Sequence, residues 1–168
     1  MPVSPTAGPR HARGGLAAGF TDSPLGALLA AVNIAVRANP NWGPRIFGPT
    51  IRAQVIGSQA GALLASCQDS YAQARQAAGV SAGQPFGRAH VTEDAFRWEG
   101  YTPADAAIDL VSVGPDGQGG AVLAATRIEV RWRDGDWRVV APPGGDWGNA
   151  AILLTSLNGY TRLPHPPE

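Results

Sequence analysis

The search for chemistry in this chain starts with its acidic side chains. A carboxyl group becomes an acid, a base or an anchor for a ligand when an apolar pocket raises its pKa. Asp109 is the acid best placed for such a role, on a stretch from Ala107 to Val113 that partly alternates apolar and polar residues, with Asp105 just before it. Alternation with Ile108, Leu110 and Ser112 allows Asp109 to face a pocket or the solvent, and solvent is the plainer reading. Of the three histidines, His11 and His165 fall in tails. His90 has Glu93 and Asp94 nearby, but at a spacing that matches no ligand motif, so it reads as part of a solvated loop. Cys67 sits in an Ala/Leu-rich helical stretch with no histidine partner, which reads as a small buried apolar residue rather than a nucleophile. The glycine-rich run from Gly117 to Gly120 joins two strands and opens no helix, so it lacks the amides and dipole of a phosphate loop. These residues predict no catalytic set, no cofactor and no metal.

Binding by contact is the other class of chemistry the residues suit. Arg131, Arg133 and Arg138, with Glu129, fall on one face of an alternating hairpin and suit an acidic segment of a partner, although a charged strand face is more often plain soluble surface. Trp42 and Trp147, in loops, are the aromatic candidates for partner contact. The chain has 168 residues with 13 basic and 13 acidic groups. Every basic residue is arginine. Zero net charge gives no electrostatic footprint for nucleic acid. A single cysteine excludes an intramolecular disulfide framework. At 44% hydrophobic residues the chain can bury one real core. No window reaches the length of an apolar membrane-spanning helix, and the N-terminal residues show no signal-peptide pattern.

The elements that must position these groups divide the chain in two. Residues 1–20 are rich in Pro and Gly without apolar periodicity and predict a disordered linker or tail. Residues 21–163 predict a single domain, and 164–168 a C-terminal tail. Asp22 or Ser23 can cap a helix that begins at Pro24, in which Leu25, Leu28, Leu29, Val32 and Val36 recur as one buried stripe until Asn39-Pro40. A shorter helical piece follows Pro44, interrupted at Gly48-Pro49. A longer one follows Ser58, with Leu63, Leu64, Cys67, Tyr71 and Ala74 as its stripe and Gly79 as its stop. The period then changes to two. Asp134-Gly135 between alternating runs predicts a two-residue hairpin. Its register sets Arg133 opposite Asp136, Trp132 opposite Trp137, Arg131 opposite Arg138 and Val130 opposite Val139. Trp132, Trp137, Val130, Val139 and Ile128 then share an apolar face that helices must cover. Ala150 to Leu157 reads as a short helix.

The run from Trp98-Glu99-Gly100-Tyr101-Thr102-Pro103 to Leu110, the hairpin from Arg131 to Val139, and the opening from Ser23 to Asn33 carry a resemblance. Between about Phe20 and Gly144 the chain resembles extracytoplasmic domains of conjugation and type IV secretion scaffold proteins (TcpC-like) from high-GC Gram-positive bacteria. The resemblance implies an α+β fold, with N-terminal helices packed on one face of a curved antiparallel sheet, a nuclear-transport-factor-like (cystatin-like) roll. It also implies a non-catalytic scaffold or assembly domain of a DNA-transfer apparatus, working through protein partners at the outer face of the cell membrane. Membrane proximity would come through an anchor absent from this chain, with no direct contact to nucleic acid and a possible homo-oligomer. The alternative is a small-molecule binder or an isomerase- or cyclase-like enzyme that uses the mouth of the roll, with Asp109 as its pocket acid. A filled space between helices and sheet favours the scaffold, and a deep cavity holding a carboxylate favours the binder.

Overall fold

The structure, a computed structural model, describes residues 1–85, 92–116 and 118–164. In chain order its elements are strands β1 (His11–Arg13) and β2 (Leu16–Ala18), helices α1 (Pro24–Arg37) and α2 (Pro44–Gln54), and strand β3 (Val55–Ile56). Helix α3 (Ala60–Ala78) follows, then β4 (Thr92–Tyr101), β5 (Asp105–Pro115), β6 (Ala121–Arg133), β7 (Asp136–Val140), β8 (Ala151–Leu154) and β9 (Thr161–Arg162). Short 3-10 turns at Pro40–Trp42, Pro143–Gly145 and Trp147–Ala150 join them.

Helix α1 starts where the sequence marks it. Ser23 is extended and its hydroxyl accepts from the Gly26 amide at 3.1 Å, with Pro24 in the first turn. Gly26 has no tolerance for a side chain, since a Cβ there would lie 2.0 Å from the Thr21 carbonyl oxygen. The buried surface of α1 is not a stripe. Every residue from Gly26 to Ile34 is buried, while Leu25, expected in the stripe, is exposed. A helix apolar all round needs cover on all sides. Its cover comes from the sheet, from α2, and from the N-terminal residues, which contribute buried Ala7, Ala17 and Phe20. Residues 1–20 are therefore built into the domain instead of forming the expected linker. β1 and β2 pair antiparallel, and the Asn33 side-chain amide donates to the Pro2 carbonyl at 2.9 Å.

Among the described residues the main sheet has seven strands in the order β3-β7-β6-β5-β4-β9, with β8 also on β6. The hairpin register is the predicted one: Val130, Arg131, Trp132 and Arg133 face Val139, Arg138, Trp137 and Asp136. Asp134 and Gly135 both hold positive φ, 52° and 78°, as a two-residue turn of this kind requires. Trp137, Val139, Val130 and Ile128 are buried on the inner face, where aromatic contacts run from Phe96 through Trp98, Tyr101 and Trp137 to Trp132, edge-on except for the tilted Tyr101–Trp137 pair.

The expected roll is overturned. The sheet is mixed, since β3 runs parallel to β7, and a second two-stranded sheet stands beside it. The three helices do not lie together on one sheet face: α1 crosses β5, β6 and β7, whereas α3 packs mainly on α2 and on the 3-10 turns. The reason lies in α1, which is buried all round and so keeps α3 off the sheet. The outer face is not simply wet either, because Ala95, Val111 and Ala125 form a second core under Leu154, Leu157 and Tyr160. The expected helix at Ala150 to Leu157 is strand β8, paired to β6 from Leu123↔Leu154 to Thr126↔Ala151. An apolar run of four residues has no period to tell strand from helix, and pairing to an available edge decides it. The interruption expected at Pro49 does not break α2, which runs through it.

Asp136 ties the N-terminal residues to the sheet. Its buried carboxylate accepts from the Gly19 amide at 2.9 Å and the Phe20 amide at 3.1 Å. Replacing it leaves buried donors without acceptors, so Asp136→Ala is expected to lower the unfolding free energy by about 3 kcal/mol in urea titrations. An unchanged midpoint would mean that packing alone holds this segment.

Candidate functional site

The two acids that matter stand on opposite faces of the sheet, Asp109 on β5 and Glu93 on the neighbouring β4. On the outer face Asp109 is buried beneath arginines. Arg97 Nη2 lies 2.9 Å from Asp109 Oδ2, Arg127 Nε donates to Asp109 Oδ1, and Glu99 bridges the same two guanidinium groups. Arg97 also lies over the Tyr160 ring at 4.7 Å, which links the network to the C-terminal residues. Burial pushes the Asp109 carboxyl up, but the bonds from Arg127 and Arg97 outweigh it and hold the group below the usual carboxylate range. Asp109 is thus an ion-paired carboxylate on the outer face, and it is not among the residues that line the inner-face cavity.

The inner face holds a cavity of about 770 Å³. The end of α1 (Ala35, Val36), the turn after it (Asn39, Asn41, Trp42) and the start of α2 (Arg45, Ile46) form one side. Leu110, Ser112, Thr126 and Ile128 of the sheet form the floor, and Gly83 to Pro85 and Trp147 close the remaining sides. The wall at Gln84 is held by the Tyr71 hydroxyl, which donates to its carbonyl at 2.7 Å. The lining is mainly apolar, and among the described residues one carboxyl group, that of Glu93, stands in it.

Glu93 reaches this face through a β-bulge. It pairs with Ser112, but the next paired residue of β4 is Ala95 opposite Val111, so Asp94 is the extra residue. Without the bulge Glu93 would share the outer face with Ala95 and Arg97. With it, the Ser112 hydroxyl donates to Glu93 Oε2 at 3.3 Å, and Asp94 pairs with Arg162 at 2.8 Å. Burial pushes the Glu93 carboxyl up, and the Ser112 bond offsets this only in part. With one hydroxyl donor and no cation on it, this carboxyl is a weaker acid than one in water.

A family model described as a domain of unknown function (DUF8175) matches residues 1–162. The chain belongs to that family. No curated protein and no solved structure matches it. The match to DUF8175 takes in the N-terminal hairpin that α1 needs as cover.

In this DUF8175 domain the residues singled out from sequence separate into two places. Trp42 and Trp147 come together as cavity lining. Arg131, Arg133 and Arg138 stay at the hairpin end of β6 and β7 and do not reach the cavity. Arg131 is paired with Asp105 at 2.6 Å and Arg138 with Asp136 at 3.5 Å, which leaves Arg133 exposed without an ion pair among the described residues. Cys67 is buried, donates to the Ala38 carbonyl, and has its thiol pushed up to about 11 by burial and by the charge of Asp146, which disfavours the thiolate. His90 lies outside the described residues. Among the described residues no group of three His, Cys, Asp or Glu side chains converges on a metal position. Sequence reading missed Glu93 as a pocket group because alternation carries no sign of the bulge, and it missed Arg45 because nothing marks that residue apart from other helical arginines.

The two acids predict opposite effects on stability. Asp109 has a depressed pKa, so it stabilises the fold above the ordinary Asp range, and that stabilisation is lost as the pH falls through its folded value. Glu93 has a raised pKa, so its ionised form is penalised in the folded state at neutral pH, and the penalty vanishes in acid. Asp109→Asn is therefore expected to destabilise at pH 7 and Glu93→Gln to stabilise. In urea unfolding series the Glu93 difference should vanish once the pH falls below the ordinary Glu range, whereas the Asp109 difference should start to shrink only as the pH enters the ordinary Asp range and continue below it.

Proposed function

We propose that this DUF8175 domain binds a small, mainly apolar molecule in the cavity between the end of α1 and the inner face of β4 to β6. The observation that carries the reading is a cavity of about 770 Å³ lined by apolar groups, with the Glu93–Ser112 pair on its floor. Pockets of roughly 300–1,000 Å³, apolar with a few placed polar groups, are where proteins hold small ligands. A core designed only for contact with other proteins gains nothing from this void, since unfilled apolar space forfeits dispersion contacts. The role is binding, and catalytic turnover is not part of the proposal.

A second reading rests on β8. Ile152 and Leu153 are 58% and 78% exposed on this edge strand, an arrangement that suits a protein partner. It fits the likeness to scaffold domains of conjugative and type IV secretion machinery at the outer face of the membrane. Among the described residues no helix is long and apolar enough to cross a membrane.

Filling the cavity tests the first reading. Ala35→Phe projects a ring from α1 into the space. It is expected to weaken binding of the uncharged fluorescent probe N-phenyl-1-naphthylamine at least tenfold while leaving the unfolding midpoint unchanged or higher. Probe binding that survives Ala35→Phe unaltered would place the binding elsewhere and end the reading.

A further inference from the structure

The charged groups that line the cavity are few and separate. Among the described residues Arg45 is its one cation and Glu93 its one anion. They do not compensate each other: no ion pair joins them, and Arg45 is not among the groups that shift Glu93. Arg45 is exposed, with no ion pair to any described residue, whereas Glu93 is half-buried and bonded to Ser112. The cavity is therefore polarised along its length. A guanidinium group without an acid stands at the solvent end, apolar walls lie between, and a carboxyl group is at the sheet.

Charge complementarity follows directly from this layout. A cationic ligand would meet Arg45 at the mouth, and an anion driven to the floor would meet Glu93. An apolar body that carries its acid group at one end satisfies both. From this we infer that the ligand is an amphipathic organic anion, seated with its apolar body between Trp42, Ile46 and Leu110 and its acid group outward on Arg45. The inference rests on the cavity being a binding site and adds the ligand class and its orientation. Glu93 acts as a positioning residue: its carboxyl excludes the acid group from the deep end.

Two probes of nearly equal shape test it, 1-anilinonaphthalene-8-sulfonate and its uncharged parent N-phenyl-1-naphthylamine, titrated into the full chain and followed by probe fluorescence and by quenching of Trp42 and Trp147. The sulfonate is expected to bind about tenfold tighter than the parent, the size of one charge-assisted contact. Arg45→Gln should remove that advantage without changing affinity for the parent. Arg133→Gln, an exposed arginine away from the cavity, should leave it intact, and Ala35→Phe should abolish binding of both probes. Equal affinities for the two probes, or an advantage that survives Arg45→Gln, would overturn the ligand class while the cavity stands as a site. Failure of both probes to bind would overturn the ligand class and the cavity reading together.

Discussion

The bonds that Asp136 and Trp137 make to residues 19–21 set the position of everything on the inner side of the sheet. Asp136 accepts from the amides of Gly19 and Phe20, and the Trp137 indole donates to the Thr21 carbonyl at 2.9 Å. Two neighbouring side chains of one strand thus hold three consecutive backbone groups just before α1 begins. The helix that follows can run in only one direction across β5 to β7. Its last turn becomes a wall of the cavity. Trp137, fully buried, also carries the aromatic contacts to Tyr101 and Trp132, so the same residue that aims the helix packs the floor beneath it.

A single strand shows how environment assigns different roles to similar groups. Asp109 and Ser112 lie three residues apart on β5, on opposite faces. The outer face brings Arg97 and Arg127 to Asp109, and a carboxylate so bonded is a fixed anion that organises its neighbours. The inner face brings only the Ser112 hydroxyl to Glu93, and there burial pushes the carboxyl up. Asp109 does not line the cavity, and the carboxyl group that does comes from the adjacent strand.

Local rules were legible where one residue type satisfies one geometric need. Asp134-Gly135 demanded a turn and with it a register, and Ser23-Pro24 demanded a helix start; both stand as read. What was illegible depends on pairing between distant segments. The bulge at Asp94 is invisible to alternation, yet it alone decides which face Glu93 occupies. The all-round burial of α1 turns a presumed linker into its cover, and no pattern within residues 1–20 announces that. The parallel partner of β7 is the two-residue strand Val55–Ile56, too short to show a period, and it is what makes the sheet mixed. Arg131 and Arg138 suggested a free cationic face, but Asp105 meets Arg131 from the paired position on β5 and Asp136 meets Arg138 from two residues earlier on β7.

β6 serves β5 along one edge and two separate strands along the other. Residues 130–133 pair with β7, residues 123–126 pair with β8, and the stretch between carries no strand on that side. The turn Trp147–Ala150 packs against β6, and Trp147 there meets Ile128 and Thr126 as cavity lining. This wall is hung on a break in the hydrogen-bonded edge. Among the described residues, this part of the cavity is thus held by side-chain packing on one side of β6 and anchored to the ladder only where the turn runs into Ala151.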